Sequence, residues 1–180
     1  MNITIEQVRD FLYREARLLD DKSWDEWLTC YASDAVFWMP AWDDDGTLTT
    51  DPEREISLIY YGSKAGLEDR VFRIKTERSS ASTPEPRTAH MIANVEFVTQ
   101  DADATADARR GGAHEEKEDA NRCTVRFNWQ TLSYRYKTTD SYFGTSHYEL
   151  DISAPVPVIK RKYVVLKNDY IHHVVDVYHI

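Results

Sequence analysis

An α+β fold, in which N-terminal helices are enclosed by a long curved antiparallel sheet, is what the order of patterns along these 180 residues predicts. Two observations carry it: apolar residues recur at helical spacing near the start, and period-two alternation dominates from about residue 90 onward. A third is composition. With 42% hydrophobic and 12% aromatic residues the chain can bury one sizeable core, and its length fits a single domain spanning 1–180.

The first helix has a readable start. Thr4 and Gln7 have the spacing of a capping box, where the hydroxyl accepts from a first-turn N–H and the amide reaches back. Ile5, Val8, Phe11, Leu12, Ala16 and Leu19 then share one side, leaving Arg9, Asp10, Arg14 and Arg17 for the other. Ser23 and Glu26 repeat the capping signal for a shorter helix through about Thr29, with Trp24, Trp27 and Leu28 as its apolar residues. Val36–Met39 is aromatic and β-branched and stops at Pro40, and Glu55–Tyr61 alternates, so both read as strands. Asp43, Asp44, Asp45 and Gly46 make a charged turn between them. A third helix, from about Ser63 to Lys75, places Leu67, Val71 and Ile74 together.

The second half reads as a meander. Met91, Ala93, Val95 and Phe97 are expected on the core face of a strand and His90, Ile92, Asn94 and Glu96 on the opposite one. In the next strand Cys123, Val125, Phe127 and Trp129 alternate with Arg122, Thr124, Arg126, Asn128 and Gln130. Tyr142–Ile152 and Val158–Lys167 continue the run, and Asn168-Asp169 predicts a tight turn into a last strand, Tyr170–Tyr178. Residues 101–120 carry no large aliphatic or aromatic side chain and predict a mobile polar loop at a hairpin tip.

A net charge of -9, with basic residues scattered among acids, excludes a nucleic-acid partner. The longest strongly apolar stretch, Ala35–Trp42, contains a proline and falls far short of the roughly 18 residues a membrane helix needs, so no membrane partner is expected. No basic-then-apolar leader opens the chain, and two cysteines, Cys30 at a helix end and Cys123 on a buried strand face, point to reduced thiols and a cytoplasmic location.

Catalytic templates find no purchase. A Rieske cluster needs Cys and His pairs, and neither cysteine has a histidine at ligand spacing. A non-haem iron site needs two histidines and a carboxylate on one face, whereas His172 and His173 in a strand point apart and His179 lies near the terminus. There is no nucleophile elbow, phosphate loop or dinucleotide fingerprint. No catalytic, cofactor-binding or metal residue is therefore expected in this chain. One enzymatic alternative stays open, a dehydratase or isomerase using the mouth of the cone, with Asp34, His147 and Tyr148 as the residues to inspect. Structural roles suit those three better: Asp34 precedes a strand in a turn and Tyr148 lies in an aromatic core segment.

Positive signals favour contact with other chains. Trp38, Met39, Trp42, Tyr60, Tyr61, Phe72, Tyr134 and Tyr136 are more aromatic and apolar surface than one small core readily hides, and aromatic residues with arginines typify interface cores. The expected contact residues are Trp38, Trp42, Arg70, Arg73, Arg78, Arg87, His90, Asn94, Arg122 and Arg126.

The runs Ser23-Trp24-Asp25-Glu26-Trp27, Trp38-Met39-Pro40-Ala41-Trp42, Asp51–Tyr61, Gly66–Arg78, Arg87–Val95 and Asp169–Tyr178 closely resemble the beta (small) subunit of ring-hydroxylating dioxygenases. Trp38–Trp42 and Asp51–Tyr61 look like the benzoate, toluate and anthranilate branch, and the departure is 101–120, which is longer than usual. The resemblance implies the cystatin-like (nuclear-transport-factor-like) cone. It further implies a structural role in a three-plus-three hexamer: a homotrimer of beta subunits bound to alpha subunits that carry a Rieske [2Fe-2S] cluster and a mononuclear Fe(II). The assembly would cis-dihydroxylate an aromatic carboxylate such as benzoate with dioxygen and NADH-derived electrons. A stand-alone cone-pocket enzyme and a non-catalytic homo-oligomeric binding protein are the competing readings.

Overall fold

The Thr4 capping box forms as its spacing predicts: Gln7 N donates to Thr4 Oγ1 at 3.3 Å and Thr4 N donates to Gln7 Oε1 at 2.9 Å, starting α1 (Ile5–Asp20). The computed structural model that shows this describes residues 3–76, 83–98 and 121–180. The 101–120 loop and Arg78 lie outside the described residues. After α1 come α2 (Trp24–Leu28), β1 (Tyr31–Pro40), β2 (Ser57–Tyr61), α3 (Lys64–Lys75), β3 (Arg87–Phe97), β4 (Arg122–Arg135), β5 (Thr138–Asp151) and β6 (Val158–Leu166). The second capping box does not form, because Ser23 makes no side-chain cap bond and its N–H instead closes the end of α1 on Leu18 O at 2.8 Å.

The six strands lie in one open sheet in the order β2-β1-β6-β5-β4-β3. From β3 to β6 it is the antiparallel meander that alternation predicts. One pair differs from an all-antiparallel sheet: β1 runs parallel to β6, a direction that no side-chain pattern encodes. The β4–β5 hairpin closes on Tyr136 and Lys137, both at positive φ (52° and 64°), as a two-residue turn requires, but without the Asn-Gly that usually marks one.

Two expectations are overturned. In β3 the inward side chains up to Ile92 are Thr88, His90 and Ile92, while Met91 is exposed, the reverse of the predicted faces. Asn94 at φ 55° sits in a register shift between Ala93 and Glu96, a bulge that inverts the alternation, so that Val95 is buried on the far side of it. The predicted strand Tyr170–Tyr178 is irregular chain ending in a 3-10 turn, Val177–His179. Asp176 to Ile180 are buried without interruption, which a strand with one solvated face cannot provide. Asp176 Oδ1 accepts from Val177 N at 2.8 Å, and Asp176 N donates back to His179 Nδ1 at 3.1 Å.

The helices pack on the inner face of the sheet, α1 against β3 and α3 against β1. Val8, Leu12, Leu19, Trp27, Phe37, Met39, Leu67 and Leu150 are wholly enclosed there, each contributing roughly 1.5–3 kcal/mol by leaving water. At Gly144 the strands approach too closely for a side chain: a Cβ would stand 1.9 Å from the Val165 carbonyl oxygen. No helix among the described residues is long and apolar enough to cross a membrane.

Candidate functional site

The apolar stripe of α1 carries one acid, Glu15, four residues before Leu19 and three after Leu12, so helical geometry drives it into the core. Glu15 Oε1 accepts from Trp27 Nε1 at 2.9 Å, Tyr31 hydroxyl at 2.8 Å and Lys162 Nζ at 3.0 Å. Lys162, 0% exposed, also donates to the Ile180 main-chain oxygen at 3.2 Å and stands 5.1 Å from the Phe37 ring and 5.2 Å from the Tyr148 ring. Burial, then the Glu15 charge, pushes the hydroxyls of Tyr31 and Tyr148 well above the ordinary tyrosine range and the neighbouring Cys30 thiol up to about 12. Every group at this centre is protonated or paired, which makes it a clamp between α1, β1 and β6.

Asp20, at the end of α1, makes a second clamp. It accepts from Thr88 Oγ1 at 2.8 Å and His90 N at 3.0 Å, and its Oδ1 lies 2.6 Å from His90 Nδ1. Burial opposes the Asp20 charge, but the hydrogen bonds and charge from His90 and the bond from Thr88 outweigh it and hold the carboxyl below the ordinary range. Nearby, Asp176 binds Arg70, whose Nε donates at 2.8 Å. His179 packs 4.6 Å from Tyr142, and burial, against the Asp176 charge, brings its pKa down to about 4.

An aligned Asp–His pair is what a cone-pocket dehydratase would need, and Asp20 and His90 make one, but neither lines the small cavity of about 10 Å³ between Leu19, Trp24, Thr88 and Tyr178. The residues predicted for that chemistry do not converge either. Asp34 is on the surface with Lys160, Tyr148 is in the core near Glu15, and His147 lies 6.2 Å from Tyr163 on the outer face of the sheet.

The predicted contact residues separate into distinct settings. His90 and Arg70 turn toward the chain's own acids, and Trp38 is 4% exposed, donating to Ser57 Oγ at 3.0 Å and lying edge-on to Tyr163. Asn94 forms the β3 bulge. Arg87, Arg122 and Arg126 lie on the outer sheet face, the last bonded to Glu96 at 2.8 Å, and Arg73 is exposed on α3 beside Asp69 at 2.7 Å. Trp42 stands on a hairpin. Asp43 N donates to Thr47 O at 2.8 Å, Thr49 N to Ala41 O at 3.0 Å, and Thr49 Oγ1 to Ile56 O at 2.9 Å, so the charged turn is a fixed element joined to the start of β2. The Trp42 indole donates to Leu166 O at 2.7 Å while the ring stays 47% exposed, and Ile56, Leu58 and Tyr60 are exposed at the start of and along β2.

The donors among the described residues do not gather at one place. Cys30 and Cys123 are held as thiols, with burial pushing the second up to about 11. His172 and His173 are exposed while His179 is buried, and no group of three or more His, Cys, Asp or Glu gathers among the described residues. What Glu15, Asp20, Lys162 and His179 do was missed from the sequence, although a lone Glu inside the stripe Val8, Leu12, Leu19 marks the first of them.

Comparison with known proteins places this arrangement. The chain is 57% identical over 178 residues to benzoate 1,2-dioxygenase subunit beta of Acinetobacter baylyi, covering 99% of this chain and 95% of that one. It is 55% identical to toluate 1,2-dioxygenase subunit beta of Pseudomonas putida, with both chains fully covered. The crystal structure of the benzoate 1,2-dioxygenase beta subunit from Burkholderia mallei superposes with a TM-score of 0.75 at 54% identity, covering 100% of this chain and 99% of that one. An NTF2-like protein with a cystatin-like fold from Novosphingobium aromaticivorans, at 10% identity and a TM-score of 0.56 with 92% and 82% of the chains covered, shares the fold alone. The family described as ring hydroxylating beta subunit matches residues 14–110 and 113–173, and with identities above one half over whole chains, this protein belongs to that family.

Proposed function

We infer that the chain is the structural small subunit of the terminal oxygenase of an aromatic-carboxylate 1,2-dioxygenase, with benzoate the favoured substrate. The observation that carries this is the full-length identity to benzoate and toluate dioxygenase beta subunits. The polar interior supports it, since Glu15 with Lys162 and Asp20 with His90 Nδ1 are engaged in clamping helices to the sheet. The Rieske cluster and mononuclear Fe(II) then belong to an alpha subunit, which would dihydroxylate the ring with dioxygen and NADH-derived electrons in the cytoplasm. Beta subunits form the trimeric base of a three-plus-three hexamer. The outer face of β3–β5 supports contact between copies: Met91, Leu132 and Phe143 are exposed on adjacent strands with little charge between them, so two chains of net charge -9 can meet there without bringing acids together.

Co-expression with the large subunit, followed by sizing and metal analysis, tests the reading. The expected result is iron and benzoate turnover only in the complex, with this chain alone a colourless, iron-free oligomer. Stoichiometric iron in the chain alone, or benzoate turnover without an alpha subunit, would overturn it.

A further inference from the structure

The buried face of β4 changes character along its length. Val125, Phe127 and Trp129 are apolar, whereas the next two residues on the same face, Thr131 and Ser133, carry hydroxyls and are still only 0% and 3% exposed. Register sets Thr131 directly between His90 of β3 and Tyr142 of β5, so the three side chains form one row across the inner sheet. The His90 side chain is 5% exposed, and the Tyr142 ring is covered by His179 at 4.6 Å. The row is closed to bulk water.

Two polar atoms of this row are left over. Asp20 fixes the His90 ring through Nδ1 at 2.6 Å, and the same carboxylate accepts from His90 N and Thr88 Oγ1, so the ring is held in one orientation. Its other nitrogen, Nε2, and the Thr131 hydroxyl are both buried, and neither meets a hydrogen-bond partner among the described residues. Stranding two such groups is costly, and native interiors rarely do so. They do not bond each other either, although directly opposed strand residues place their Cβ atoms roughly 4.5–5.5 Å apart. Across a spacing of that order one water, with hydrogen bonds of about 2.8 Å on either side, reaches both.

We propose that His90 Nε2 and Thr131 Oγ1 are the two protein ends of a binding site for a single ordered water molecule. Water fits because it donates to a ring nitrogen that carries a lone pair and accepts from one that carries a proton, while the Thr131 hydroxyl rotates to complement it in either case. A metal ion needs more donors than one nitrogen and one hydroxyl, and no larger donor group gathers among the described residues. The chain Asp20–His90–water–Thr131 ties the end of α1 to β4 across β3, the edge strand of the sheet. The site rests on the folded chain alone and is independent of the small-subunit reading.

The test is a crystal structure of the full-length chain at a resolution that shows ordered water, together with oxygen-17 relaxation dispersion in solution, which counts long-lived internal waters, on wild type, Thr131→Val and Thr131→Ser. Valine keeps the shape of the side chain without its hydroxyl, and serine keeps the hydroxyl. The expected result is a density peak within about 2.7–3.2 Å of both atoms, and a count of internal waters that falls by one in Thr131→Val and holds at the wild-type number in Thr131→Ser. A direct bond between Nε2 and Oγ1 in the wild-type crystal, an empty gap between them, or a peak that touches only one of the two would overturn the proposal. So would a water count unchanged in Thr131→Val. If the valine variant does not fold, the wild-type density and the serine count decide the matter by themselves.

Discussion

Glu15 and Asp44 are both carboxylates, yet the first receives three hydrogen bonds on one oxygen inside the cone and the second stands in water at a hairpin tip. Their surroundings assign them opposite duties. A charge removed from water must be answered on the spot, so Glu15, Lys162, Tyr31 and Trp27 are bound to one another and have nothing left to offer a ligand. A charge left in water costs nothing to keep, contributes little to folding, and remains available to another molecule. In this fold the interior carboxylate holds the chain together and the hairpin carboxylate stays in solvent.

The comparison breaks if interior changes leave stability untouched. Lys162→Met strands the Glu15 carboxylate without its cation and is expected to cost about 3–5 kcal/mol in denaturant unfolding. The double variant E15L/K162M is expected to recover part of that loss, although Trp27 and Tyr31 lose their acceptor. A single variant as stable as wild type would show that the pair is not a clamp.

His179 gives the next largest effect and a direction in pH. Its folded pKa of about 4 lies below the ordinary 6.5, so the unfolded chain binds the proton first as the solution is acidified. Stability is full above about pH 6.5 and is lost as pH falls from there to about 4, by about 3 kcal/mol. His179→Gln should flatten that limb of the stability curve. Asp20 titrates lower. Its folded pKa is depressed, so its contribution is present above about pH 4, where the unfolded carboxyl ionises, and is lost below it. Asp20→Asn is expected to cost about 2 kcal/mol at pH 7, with the gap to wild type closing as pH falls below 4.

Much of this arrangement is legible in the sequence, and what is hidden has physical causes. The α1 cap and the β4–β6 meander follow local rules, a reciprocal hydrogen bond in one case and strict alternation in the other. The faces of β3 were inverted because one left-handed residue, Asn94, resets the period, and asparagine is a residue that tolerates that conformation. The terminal segment Tyr170–Tyr178 has strand-like composition, but the Asp176 to His179 capping pair and the docking of Ile180 in the core override it. Of the ten expected contact residues, Trp42 alone stands on the acidic hairpin. Spacing cannot tell an arginine bound to its own chain, such as Arg70, from one that is free to meet another.

The smaller effects fall on the hairpin itself. Trp42→Phe keeps the exposed ring and removes the indole bond to Leu166 O, which ties the hairpin to the end of β6, so about 1 kcal/mol of stability should go.

Asp44→Asn removes a charge whose side chain faces solvent, and unfolding should stay within about 0.5 kcal/mol of wild type. Denaturation of this variant beside Lys162→Met sets the two surroundings at opposite ends of one scale. If Asp44→Asn costs as much stability as an interior change, the tip belongs with Glu15 among the groups that hold the fold, and the division between a paired interior carboxylate and a solvated one fails.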